Sequence, residues 1–259
     1  MKVLLPENFS KILNIDNANQ RFTEARDVAQ KIVSAGVSLY PQMDHAAIFT
    51  DPPHLVAGPL KKVGYIAGWD TKCYPSPVDG QDYINVPSGL PDNHPALEKG
   101  WFRYVAVVHP VDEAARNEML SQGYGNPFIH HLTWGITPPR QTAKSEFEQT
   151  KTAIQYMIDV REKIGKAINN TPGTLIMALP ATVIQDPKAD TMLFDTLSGL
   201  DKDTYQVETM QGGGILMQFF VLTGGRIEVA LRINTQQTFN PKSVHKISED
   251  EISTHQTDA

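Results

Sequence analysis

A chain of 259 residues, 41% of them hydrophobic, is long enough to bury a full core as one large domain or two small ones. A net charge of −6 with no cluster of Lys and Arg argues against a phosphate-tracking surface, so neither nucleic acid nor anionic lipid is expected as a partner. The lone Cys73 permits no intrachain disulfide, and no apolar run is long enough for a signal peptide or a bilayer span, so the expectation is a soluble, cytosolic protein.

In chain order, residues 1–39 read as a helical scaffold: Phe22, Ala25, Val28, Ala29 and Ile32 recur at helical spacing before Gly36, a usual C-terminal cap. Tyr40 to Thr50 reads as a strand, with Met43, His45, Ala47 and Phe49 on one face. A short strand is expected at Val63 to Ala67. Residues 70–98 carry Pro75, Pro77, Pro87, Pro91 and Pro95 with little periodicity, the pattern of a long binding or lid loop. Trp101 to His109 reads as a strand and Val111 to Gln122 as a short helix.

Phe128 to Ile136 is the most informative strand, fenced by Gly125-Asn126-Pro127 and Pro138-Pro139. Strict alternation sends His130 to a bulky face with Phe128, Leu132, Trp134 and Ile136, and His131 to a smaller, more polar face with Ile129, Thr133 and Gly135. His131 is thus the better chemical candidate. Ser145-x-x-Glu148 is a capping box for a helix to about Ile168, with Phe147, Ile154, Met157, Ile158, Ile164 and Ile168 as its buried stripe. Thr174 to Gln185 and Tyr205 to Met210 read as strands, and Ile215 to Leu222 with Arg226 to Asn234 as a hairpin turned at Thr223-Gly224-Gly225. From about residue 240 the chain is polar and reads as a mobile tail.

In the last strand Ile227, Val229 and Leu231 alternate with Arg226, Glu228, Ala230 and Arg232, so Glu228 sits on the polar face. Taken alone it reads as an ion-paired surface carboxylate, and each histidine alone as a hydrogen-bonded core or surface residue. His45, His131 and Glu228 taken together offer two imidazoles and a carboxylate, the donor set of a non-haem Fe(II) centre with open positions, which related sites fill with Mn or Zn. Their wide separation in sequence makes sense only if two repeated sheet modules bring strand ends together.

Met43-Asp44-His45-Ala46-Ala47-Ile48 is similar to the His-Gly-Ala-Ile motif, and His130-His131-Leu132-Thr133 to the Asn-His-Leu-Thr motif, of the 2-oxoadipate dioxygenase/decarboxylase (2-hydroxyglutarate synthase) family within the vicinal oxygen chelate superfamily. Arg226-Ile227-Glu228-Val229 resembles the strand that carries the third ligand in glyoxalase and extradiol dioxygenase relatives. Covering roughly residues 40–235, the resemblance implies an α+β fold in which paired βαβββ modules form a curved mixed sheet around a metal. It implies His45, His131 and Glu228 as ligands of Fe(II), with Mn, Zn or Ni as alternatives, and open positions for a small 2-oxo acid and dioxygen. One departure stands out: the family's substrate-holding arginine, four residues after the first metal histidine, is replaced by Phe49. Arg232 or Arg226 is the candidate substitute clamp, with Phe49 as an aromatic wall of the substrate pocket, and Thr133, Gln218 and Tyr65 are candidates to hold the ligands in place.

Nucleophile-elbow, phosphate-loop and dinucleotide motifs are missing from the sequence. Gly212-Gly213-Gly214 reads as a turn, Cys73 as a thiol in a proline-rich loop, His109 as a strand terminator, and His54, His94, His245 and His255 as solvated. The expected layout is one domain over 1–239: the scaffold, a first sheet portion over 40–126 and a second βαβββ module over 127–239, with 240–259 as the tail. The expected activity is a metal-dependent dioxygenase or decarboxylase. The alternatives are a glyoxalase-like isomerase or hydrolase with a non-redox metal, and a non-catalytic binding protein; the oligomeric state is left open.

Overall fold

The computed structural model describes residues 13, 15, 18–40, 43–52, 54–67, 70–75, 82–91, 93–98, 101–121, 123–140, 145–210, 214–221 and 226–234. The expected tail over 240–259 and the turn at Thr223-Gly224-Gly225 lie outside them. The chain forms two compact units, one built on Lys2–Arg26 and Pro41–Thr133, the other on Asp27–Tyr40 and Trp134–Thr238. Both are mixed α+β. No described helix is long and apolar enough to cross a membrane.

Helix α1 (Ala18–Ser34) buries Phe22, Ala25, Val28, Ala29 and Ile32, the stripe expected from spacing, and Gly36 follows it at φ +83°. In the first unit β1 (His45–Phe49) lies between β5 (Tyr104–Pro110), to which it is parallel, and β6 (Phe128–Gly135), to which it is antiparallel. Beyond β5 comes β4 (Asp82–Gly89), whose far edge pairs with β3 (Asp70–Pro75) and β2 (Ile66–Ala67).

These strands correct the expected loop over 70–98. Pairing of β4 along all of β5 supplies ladder bonds that local propensity does not register. Pro87 stands where the far edge of β4 changes partner, from Asp70 opposite Asn85 to Ala67 opposite Ser88, and a broken ladder is where a missing N–H is tolerated. Cys73 accordingly sits in a strand, opposite Ile84, rather than in a loop. Helix α2 (His54–Lys62), which contains Pro59, is hidden in the sequence by prolines; it buries Val56, Ala57 and Leu60, and a turn at 63–64 behind it shortens the expected strand at 63–67 to β2. The short helix α3 (Pro95–Glu98) and α4 (Glu113–Ser121) complete this unit.

In the second unit α5 (Glu146–Ile168) begins as its capping box predicts, with Ser145 Oγ accepting from the Glu148 N–H at 3.2 Å. Ile154, Met157 and Ile164 are buried as expected, joined by Thr150, Ala153 and Val160, whereas Phe147, Ile158 and Ile168 are only half-buried. The strands run β10 (Ile227–Ile233), β9 (Ile215–Val221), β7 (Leu175–Pro180), β8 (Tyr205–Met210), with α5 packed on β9. The hairpin forms with Glu228 opposite Phe220 and Ala230 opposite Gln218. The strand expected over 174–185 stops at Pro180 and turns into α6 (Ala181–Ile184), followed by α7 (Ala189–Leu197) and a 3-10 turn at Lys202–Thr204.

Candidate metal centre

Opposed residues on neighbouring strands share a face, so the register of the first unit defines three side-chain rows across β5, β1 and β6. The first is Tyr104, His45, Thr133; the second Ala106, Ala47, His131; the third Val108, Phe49, Phe128. In the middle row Ala47 stands next to His131 and Ala106 lies beyond it, so little side-chain bulk stands on that side of the imidazole. The third row is closed: Phe49 and Phe128 rings stack at 4.8 Å, packed with Met119, Val108 and Leu120. Phe49 is fully buried there.

The register also overturns the alternation expected for the two histidines. Ala47 pairs with His131 but Ile48 pairs with Ile129, leaving His130 as an extra residue, a bulge. A bulge breaks the period of two, so His130 and His131 do not separate to opposite faces; their Nδ1 atoms lie 2.9 Å apart. For the same reason Phe128 shares a face with His131.

His45 is held at both ring nitrogens. Nδ1 lies 2.7 Å from Asp44 Oδ2, and Nε2 lies 3.0 Å from Thr133 Oγ1. The His131 ring meets His45 nearly edge-on, with centroids 5.8 Å apart, and Tyr104 meets it from the other side at 5.4 Å. His45 is 8% exposed, Glu228 3%, and His131 half-buried.

His45, His131 and Glu228 each offer one ligand atom, and these atoms all lie within 4.8 Å of one another. Two imidazoles and a carboxylate, largely out of water and so close together, form a donor set that could hold a metal ion. The set fits a divalent first-row metal: its mixed N and O donors suit Fe(II), Mn or Zn alike and fill three positions.

The remaining candidates fall into different places. Thr133 touches His45 directly. Gln218 and Arg232 share the face of Glu228 on the β9–β10 hairpin, both half-buried, and Arg226 is half-buried just before β10. Tyr65 donates its hydroxyl to the Phe102 carbonyl at 2.6 Å beside Trp101, and burial pushes its phenol pKa up, so its polar end serves packing. His109 is more than a strand terminator: its buried ring places Nδ1 3.1 Å from the Thr50 carbonyl.

Asp44, His130 and Tyr104 were not singled out from sequence. Asp44 precedes the first residue of β1, so strand alternation does not bind it. His130 needed knowledge of the bulge, and Tyr104 the parallel register with β1.

No family model matches the chain, and no curated protein matches it. Among solved structures it is similar to a xylose isomerase-like TIM barrel/4-hydroxyphenylpyruvate dioxygenase fusion protein, with a TM-score of 0.36 and 13% identity, over 77% of this chain and 27% of that one. The chain thus spans about a quarter of that protein's length.

Proposed function

We propose that the protein is a metal-dependent dioxygenase or decarboxylase acting on a small 2-oxo acid, of the paired-module vicinal oxygen chelate type, with Fe(II) at His45, His131 and Glu228. The observation that carries this reading is the meeting of those three ligand atoms within 4.8 Å. A bound ferrous ion supplies Lewis acidity toward a carboxylate and adjacent keto oxygen, and electrons toward dioxygen.

The chain's own part is positioning and exclusion. Asp44 fixes the His45 ring through Nδ1 and His130 fixes that of His131, because ligands held by outer hydrogen bonds need little reorganisation when they bind. Ala47 and Ala106 leave room beside His131 for a small substrate. Arg232, on the face of Glu228, is the guanidinium we assign to the substrate carboxylate, with Arg226 second. Phe49 stands where the 2-oxoadipate enzymes carry an arginine, so the substrate is a 2-oxo acid other than 2-oxoadipate.

The test is oxygen uptake and carbon dioxide release by protein loaded anaerobically with Fe(II), across a panel of short 2-oxo acids, against a His131→Ala variant. Uptake with one acid, lost in the variant, is the expected result. Turnover of a substrate with Zn or Ni and no oxygen uptake would move the assignment to a glyoxalase-like isomerase or hydrolase. Tight ligand binding without turnover under any metal would leave a binding protein.

A further inference from the structure

We propose that Asp44 and Thr133 act on one imidazole in opposite senses: Asp44 fixes the tautomer of His45 that aims its Nε2 lone pair at a divalent cation, and the Thr133 hydroxyl occupies that lone pair until the cation takes it. The inference rests on the metal reading of His45, His131 and Glu228 and adds two positioning residues to it.

The geometry is built by the β1–β6 register. His45 stands opposite Thr133, and the N–H of Asp44 donates to the Thr133 carbonyl at 2.8 Å, so the same two residues are pinned on either side of the ring. An ionised carboxylate only accepts, so Asp44 Oδ2, 2.7 Å away, takes the proton-bearing Nδ1–H of His45. A neutral imidazole then has one lone pair left, at Nε2, and the Thr133 hydroxyl 3.0 Å from it donates. Thr133 is fully buried, so its hydroxyl has no easy exchange with bulk water. The metal-free site is thereby kept satisfied, because an imidazole acceptor this far from solvent is costly without a partner. A cation at Nε2 would take the place of the Thr133 bond and leave the Asp44 bond, which would strengthen as the ring donates to the cation.

The two side chains therefore carry opposite signs. Removing the Thr133 hydroxyl removes a competitor, and neutralising Asp44 removes the support. Titration of the full-length protein with Mn(II), read as loss of the free-ion electron paramagnetic resonance signal, is expected to show Thr133→Val binding about fivefold tighter than wild type. Thr133→Ser should match wild type, and Asp44→Asn should bind about tenfold weaker or worse. A second readout needs no metal: the long-range proton–nitrogen spectrum of the histidine rings should show His45 protonated at Nδ1 and not at Nε2.

Equal or weaker binding by Thr133→Val, unchanged binding by Asp44→Asn, or a His45 ring protonated at Nε2 in the metal-free protein overturns the proposal. Should Thr133→Val not fold, Asp44→Asn and the ring spectrum still decide it. Failure of the metal reading looks different: wild type and His131→Ala would then take up Mn(II) to the same extent, or not at all.

Discussion

The Nδ1 atoms of His130 and His131 lie 2.9 Å apart although the two residues are consecutive in one strand. A regular strand would send them to opposite faces; the one-residue register shift opposite Ala47 and Ile48 lets them meet. His131 thus acquires its outer hydrogen-bond partner from its own neighbour, as His45 does from Asp44.

That contact gives His130 a measurable role. His130→Phe keeps a ring of similar size at the bulge and removes the nitrogen that faces His131. Mn(II) affinity should fall about tenfold, the usual cost of losing a partner behind a ligating histidine. His130→Asn, which retains a polar atom, should lose less. Wild-type affinity in His130→Phe would reduce the contact to packing.

Phe49 tests how far the family likeness extends to substrate recognition. Its ring is fully buried against Phe128 and Met119, so Phe49→Ala should cost about 3–5 kcal/mol in denaturant unfolding. Phe49→Arg, which introduces the residue that the 2-oxoadipate enzymes carry there, should cost at least as much, since the cluster around it is apolar and a guanidinium there is desolvated. A stable Phe49→Arg protein that gains affinity for a dicarboxylate would show instead that the position still faces substrate.

Legibility in the sequence followed the range of the forces involved. The stripe of α1, the Ser145 cap and the β9–β10 hairpin are set by neighbours within a few residues, and all are present as read. Strands β3 and β4 and helix α2 run against local signals, prolines above all, and are held by tertiary pairing and by burial of Val56 and Leu60. At the site, alternation and motif likeness singled out His45, His131 and Glu228. They could not reach His130, whose orientation follows from a bulge, or Asp44, which lies just outside the strand it serves.

The Ser145 cap is the simplest of these to measure. Its Oγ accepts the Glu148 N–H at 3.2 Å at an exposed helix start. Ser145→Ala should lower unfolding stability by about 1 kcal/mol and Ser145→Asp by much less. No loss in the alanine variant would mean that water replaces the cap.

Acid sensitivity should come in part from His109. Its ring is 7% exposed, and burial lowers its pKa, a shift opposed by the Thr50 carbonyl and by Asp51, whose Oδ1 is 3.7 Å away. Arg116, on the other oxygen of Asp51, adds to the lowering. A histidine that resists protonation when folded leaves the unfolded chain holding more protons once pH drops below about 6.5. Stability should therefore be unaffected by this group above that pH, and should fall with acidification until the folded-state pKa is passed. His109→Gln should flatten the difference between pH 7 and 5 in denaturant titrations; an unchanged pH profile would remove His109 from the account.

Stability should also report the metal directly. An ion gripped by His45, His131 and Glu228 binds only the folded chain, because distant segments supply the three ligands. Mn(II) at a hundredfold excess over its dissociation constant should add about 2.7 kcal/mol to unfolding stability, and a chelator should return it. His131→Ala and Glu228→Gln should each abolish that increment. The same increment in both variants would place the ion elsewhere on the protein, and no increment in wild type would mean that these three side chains do not hold one.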